Sequence, residues 1–167
     1  MNLTAQPLSF VNLQKRSDPD AFAWIRGLSR YPNLYGILKC YETPYGGILF
    51  EAEVMGLPEE TGGFSNGFHG FHIHEYGDCS GDFSGSGMHY NPGNTEHPYH
   101  AGDLPPLLAN QGYAWMAFYD NRARLDDLLG KSIIIHAKRD DFTTQPSGDS
   151  GEKIACGIIG PMQPGIG

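Results

Sequence analysis

Glycine and proline interrupt this chain so often that its apolar residues are left in short runs. With 23 Gly and 12 Pro beside 9 Phe and 9 Tyr, the pattern predicts short strands joined by many turns. Gly47 to Met55 shows it most clearly. Ile48, Phe50, Ala52 and Val54 alternate with Leu49, Glu51 and Glu53, and a period of two marks a half-buried strand. Leu34 to Glu42 precedes it across the turn-type cluster Thr43-Pro44-Tyr45-Gly46. Ala21 to Gly27 fits either a short helix opened by Asp18-Pro19 or a strand with Ala21, Ala23 and Ile25 on one face. Its brevity favours the strand. Phe68 to Glu75, Lys131 to His136 and Lys153 to Ile159 read as further strands. Pro106 to Ala109 and Tyr113 to Tyr119, around Asn110-Gln111-Gly112, read as a hairpin. Asp120 to Leu129 admits a helical turn. Two long segments, Gly77 to Gly102 and Ala137 to Glu152, carry no periodicity, and loops of such length inside a compact domain are usually functional. About eight short strands with two long loops predict an all-β, antiparallel sandwich or flattened barrel.

Composition narrows the function. The 167 residues are 40% hydrophobic, enough for the core of a single domain. Residues 1–20 read as an N-terminal extension and 21–167 as the domain. Lys+Arg 11 against Asp+Glu 19 leaves a net charge of -8, which argues against nonspecific nucleic-acid binding. The longest apolar runs, such as Ile133-Ile134-Ile135, fall far short of the roughly 20 residues a membrane span needs. Met1 to Gln14 lacks a basic start and an apolar stretch of secretory length, which by default places the chain in the cytoplasm. Three cysteines permit at most one internal disulfide and one thiol.

Six of the seven histidines lie between His69 and His100; the seventh, His136, ends an apolar strand. His72 and His74, two apart on one strand, point their imidazoles to one face. His89, His97 and His100, followed by Asp103, sit on the long loop, which gains order if a metal clips it. Imidazoles suit copper and zinc, and a carboxylate added to imidazoles suits tetrahedral zinc.

Five segments carry a resemblance. They are Gly67-Phe68-His69-Gly70-Phe71-His72-Ile73-His74-Glu75, Gly87-Met88-His89-Tyr90-Asn91-Pro92, His97-Pro98-Tyr99-His100-Ala101-Gly102-Asp103-Leu104, Gly130-Lys131-Ser132-Ile133-Ile134-Ile135-His136 and Ala155-Cys156-Gly157-Ile158-Ile159-Gly160. From about Ala21 to Gly160 the sequence resembles the copper/zinc superoxide dismutase family, in its bacterial-type form. The resemblance implies an eight-stranded antiparallel Greek-key β-sandwich or flattened barrel. It implies copper and zinc as cofactors, superoxide as substrate, and disproportionation to dioxygen and hydrogen peroxide by Cu(II)/Cu(I) cycling beside a structural zinc. It also allows a homodimer. A non-catalytic protein that binds copper and zinc is the alternative.

Carried over by position, the resemblance implies His72, His74, His89 and His136 for copper. It implies His89, His97, His100 and Asp103 for zinc, with His89 shared and catalytic. His69 takes a structural role, and Asp140 links a copper-side ring to a zinc-side ring. Cys79 and Cys156 match the family disulfide, which would favour an extracytoplasmic or cell-surface location against the cytoplasmic default and leaves the compartment open; Cys40 stays a free thiol. Two departures stand out. His97 and His100 lie closer together than the family's matching pair. Lys153 stands where the family has an arginine near copper. Lysine keeps the charge but lacks the planar fork, so the expectation is an active enzyme of reduced rate, with Lys138 and Arg139 as further cations.

Overall fold

The computed structural model describes residues 18–59 and 67–162. Most of the 1–20 extension and of the loop expected between Gly56 and Gly67 lies outside the described residues. Ten strands follow one another: β1 (Ala21–Gly27), β2 (Tyr35–Glu42), β3 (Ile48–Met55), β4 (Phe68–His69), β5 (Phe71–His74), β6 (Leu107–Leu108), β7 (Tyr113–Asp120), β8 (Ser132–His136), β9 (Lys153–Ile158) and β10 (Gly160–Pro161). One α-helical turn, α1 (Leu125–Leu128), sits between β7 and β8. The period of two is realised where it was strongest: Ile48, Phe50, Ala52 and Val54 are buried, while Glu51 and Glu53 are only partly so. β1 is a strand, with Ala21, Ala23 and Ile25 fully buried and Trp24 62% exposed.

Eight strands form one antiparallel sheet in the order β5-β8-β9-β1-β2-β3-β7, with β10 also on β1; β4 and β6 pair separately. After β3 the chain crosses to the far edge, where β5 lies, and β7 later returns to pair with β3. That long exchange between edges is the Greek-key connection. Phe71 and Ile73 from one edge and Ala114 from the other join a single buried cluster with Ile25, Leu38, Phe50 and Ile133. The sheet therefore curls around its core. β8 is buried along its whole length. Its Ile133 and Ile135 enter that core, and Ile134 packs on the other face with Leu28, Phe83 and Cys156.

Two local readings change. Phe68 to Glu75 is not one strand: it breaks at Gly70, and the two halves belong to different sheets. A Cβ at Gly70 would come within 2.8 Å of Ser150 Oγ and 3.1 Å of the His72 ring, so only glycine lets the chain bend this close to the site. The expected hairpin at Asn110-Gln111-Gly112 is reduced to a single bridge, Asn110 to Tyr113. Leu107 and Leu108 pair with His69 and Phe68 instead.

Cys79 and Cys156 are joined, across a separation of 77 residues. Cys40 is free and fully buried, and burial together with the charge of Asp20 pushes its thiol well above the usual range. Without reductant, a thiol reagent is expected to find no reactive group in the native protein and one after denaturation. Three would show that the bridge is absent.

Candidate metal centre

β5 and β8 are neighbours in the sheet, with His72 opposite Ile134 and His74 opposite Ser132. The ladder between β8 and β9 shifts register between Ile135 and His136, the kind of irregularity that re-aims a side chain. Isolated backbone bridges then bring the loops onto β5: His72 pairs with Asp103 and His74 with His89. Two four-residue groups result, His72-His74-His89-His136 and His89-His97-His100-Asp103. Within each, every residue offers one ligand atom lying within 4.8 Å of the others, and all seven residues are buried. These are the residues the sequence singles out as copper-side and zinc-side, and His89 belongs to both groups. Its ring centroid is 4.0 Å from that of His72 and 5.7 Å from that of His100.

The tautomers follow from the partners. His74 Nδ1 lies 2.9 Å from Gly87 O, and His136 Nδ1 lies 3.1 Å from Gly151 O. A carbonyl oxygen only accepts, so each Nδ1 carries the proton and donates it. Burial lowers His74 far below its ordinary value and His136 to about 3, helped by neighbouring imidazoles. Both rings are therefore neutral, and their Nε2 lone pairs face each other at 3.4 Å. Two lone pairs at that distance repel unless a cation lies between them.

Asp140 joins the groups. Its Oδ2 accepts from His72 Nε2 at 2.7 Å and its Oδ1 from His97 Nε2 at 2.8 Å. Burial, helped by the neighbouring His89, lowers the His72 ring, and the Asp140 hydrogen bond only partly offsets it, leaving about 4. A Cβ at Gly148, where φ is +72°, would sit 2.0 Å from Asp140 Oδ1, so glycine is required for this approach. Asp103 Oδ1 lies 2.7 Å from His89 Nδ1, and its Oδ2 accepts His100 N–H at 3.0 Å. Burial pushes the Asp103 carboxyl up, but the His89 hydrogen bond and the nearby imidazoles outweigh it and hold it near 2.

The donor set fits metal ions. His72 Nδ1 and His89 Nε2 are buried without a hydrogen-bond partner, and His97 Nδ1 and His100 Nδ1 make no hydrogen bond although Asp103 Oδ2 lies 3.1 and 3.2 Å away. Such atoms cost about 1–3 kcal/mol each, and here they converge on two points. Four imidazoles suit copper; three imidazoles with a carboxylate suit tetrahedral zinc. His69 stands apart: its Nδ1 lies 3.0 Å from His136 O and ties β4 to the end of β8.

Lys153, the first residue of β9, lies beside this cluster. Its Nζ donates to Ser86 Oγ at 2.8 Å, Gly87 O at 2.9 Å and Phe83 O at 3.3 Å. With Arg30, Asp82, Met88 and Gly151 it lines an open depression. The carbonyls of Gly87 and Gly151, which hold the His74 and His136 rings, belong to residues lining it. Lys138 is paired loosely with Asp149, 3.9 Å away, and Arg139 lines a different cavity with Phe68 and Phe142. Sequence reasoning missed Ser86, Gly87 and Gly151, because a backbone carbonyl or a lone serine has no signature until the loops are folded.

Among the described residues no helix is long and apolar enough to cross a membrane. The family model described as copper/zinc superoxide dismutase (SODC) matches residues 35–159. Superoxide dismutase [Cu-Zn] 3 of Arabidopsis thaliana is 35% identical over 134 residues, covering 69% of this chain and 82% of that protein. Superoxide dismutase [Cu-Zn] of Legionella pneumophila is 35% identical over 136 residues, covering 77% and 79%. Among solved structures, the clock protein EA4 aligns with a TM-score of 0.72 at 25% identity, covering 88% of this chain and 98% of that one. Motifs, fold and paired ligand groups agree with these matches, and the chain belongs to the copper/zinc superoxide dismutase family.

Proposed function

We propose that this chain is a superoxide dismutase, with copper held by His72, His74, His89 and His136 and zinc by His89, His97, His100 and Asp103. The observation that carries the reading is the pair of buried lone-pair clusters sharing His89. Copper, when bound, supplies one-electron exchange with superoxide; zinc supplies fixed charge. The chain does the rest. Asp140 orients the His72 and His97 rings, and the carbonyls of Gly87 and Gly151 hold those of His74 and His136. His89 holds or releases a proton at Nε2, the nitrogen that faces the copper side. The bacterial-type assignment rests on the sequence pattern of Cys79 and Cys156.

Lys153 draws in the anion. The net charge of -8 repels superoxide globally, so attraction has to be local. All three ammonium donors already have protein acceptors, so Lys153 acts through its charge more than by gripping substrate. Burial lowers its pKa, partly offset by the Asp82 charge.

The test is dismutation by protein loaded with both metals. The loaded wild type should far outpace the metal-free chain and slow as salt rises. Lys153→Met should be slower by at least about 10-fold at low salt, with a flatter salt dependence. Lys153→Arg, which adds free donors, should gain roughly twofold or more. No acceleration by the loaded wild type sinks the reading and leaves the non-catalytic binder. Unchanged rates in both variants remove Lys153 from the site.

A further inference from the structure

The zinc-side group sits on a loop, and one side chain from the barrel reaches back to hold it. The turn from His100 to Asp103 closes on itself: Asp103 N–H donates to His100 O at 3.1 Å, and His100 N–H donates to Asp103 Oδ2 at 3.0 Å. Both residues of this turn also receive bonds from outside it. Arg122 Nη1 donates to His100 O at 3.1 Å and Nη2 to Asp103 O at 2.5 Å.

Arg122 is itself anchored. Asp120, the last residue of β7, accepts Arg122 N–H on Oδ1 at 2.8 Å. It also takes Nε on both oxygens, at 3.1 and 2.9 Å, and Nη2 on Oδ2 at 2.5 Å. The Asp120 side chain is largely buried, at 11% exposure. A continuous chain of bonds thus runs from the edge strand of the sheet, through one guanidinium, to the main chain of two residues in the zinc-side group. The planar fork is what makes this work: one face of it meets a carboxylate while its remaining donors span two carbonyls. Asp120 also cancels the arginine's charge, so the clamp adds little positive charge beside a cation.

We propose that Arg122, set by Asp120, is a positioning residue that pre-forms the zinc-side group by fixing the backbone of His100 and Asp103. The proposal rests on reading His89, His97, His100 and Asp103 as zinc ligands. Arg122 touches neither metal nor substrate.

The experiment measures zinc and copper affinity of the full metal-free chain by chelator competition. It also records the visible spectrum of Co(II) placed in the zinc-side group, for wild type, Arg122→Gln, Arg122→Lys and Asp120→Asn. Arg122→Gln should weaken zinc by about 10- to 100-fold, the range seen when a group supporting a ligand is lost. It should change the Co(II) spectrum and leave copper affinity as it was. Arg122→Lys should restore part of the zinc affinity, and Asp120→Asn should shift it in the same direction as Arg122→Gln. If Arg122→Gln does not fold, Arg122→Lys carries the test, with weaker zinc and unchanged copper expected. Wild-type zinc affinity and Co(II) spectrum in the folded variants would overturn the proposal. So would equal losses of zinc and copper with a lowered melting temperature, since that marks a general prop. A wild-type chain that binds no zinc overturns the ligand reading and this proposal together.

Discussion

Replacing His72 by alanine is expected to cut the dismutation rate of the metal-loaded protein by at least about 100-fold. Losing a group that merely supports a ligand already costs about 10- to 100-fold, and His72 is proposed here as a ligand itself. Its ring is fully buried on β5. Nε2 is committed to Asp140, and Nδ1 faces the copper side without a partner. Alanine removes that donor and strips Asp140 of its 2.7 Å bond, leaving the carboxylate to His97 and the Phe142 N–H. The damage thus reaches the zinc side as well. Rate and copper stoichiometry should be measured on one sample. Equal rates in variant and wild type would sink the enzyme reading. His72→Gln, closer in volume and able to hydrogen-bond Asp140, separates ligand loss from misfolding: it should fold and still be inactive.

Removing the disulfide is expected to have the largest effect on stability. With a sequence separation of 77 between Cys79 and Cys156, chain entropy sets an upper estimate of about 4.5 kcal/mol. For a chain of this size that lowers the melting temperature by roughly 10–15 °C. Cys156 packs on β9 against Leu28, Phe83 and Ile134, so serine there loses apolar contact too; Cys79→Ser is the cleaner variant. The bridge tethers the loop that supplies Phe83 O, Ser86 and Gly87 to Lys153, and Gly87 to His74. Copper affinity should therefore fall along with stability. Calorimetry of the metal-free chain decides it: a melting temperature unchanged by Cys79→Ser would mean that the folded loops, and not the bridge, hold this segment.

What was legible in the sequence depended on how local its cause was. The alternation in β3 and the His72-Ile73-His74 pair are short-range patterns, and both appear as expected. The hairpin around Asn110-Gln111-Gly112 misled because turn chemistry is local while partner choice is not. Leu107 and Leu108 pair some 40 residues back in the chain, with Phe68 and His69. Gly70 looked like an interior strand residue because its purpose, passing close to Ser150 and His72, exists only after the second loop has docked. The family resemblance, carried over by position, drew attention to Asp140. The acceptors Gly87 O and Gly151 O, and the clamp from Arg122, arise from tertiary contacts that no spacing records.

The shared imidazole of His89 has a thermodynamic consequence. It is a member of both groups, so on the proposed ligand assignment the two ions cannot load independently. Whatever factor zinc applies to copper affinity by ordering His89, copper must apply to zinc affinity in return, because a coupling free energy belongs to the pair. With both ions bound, a change on the zinc side then reaches copper through this ring and through the Asp140 bridge between His72 and His97.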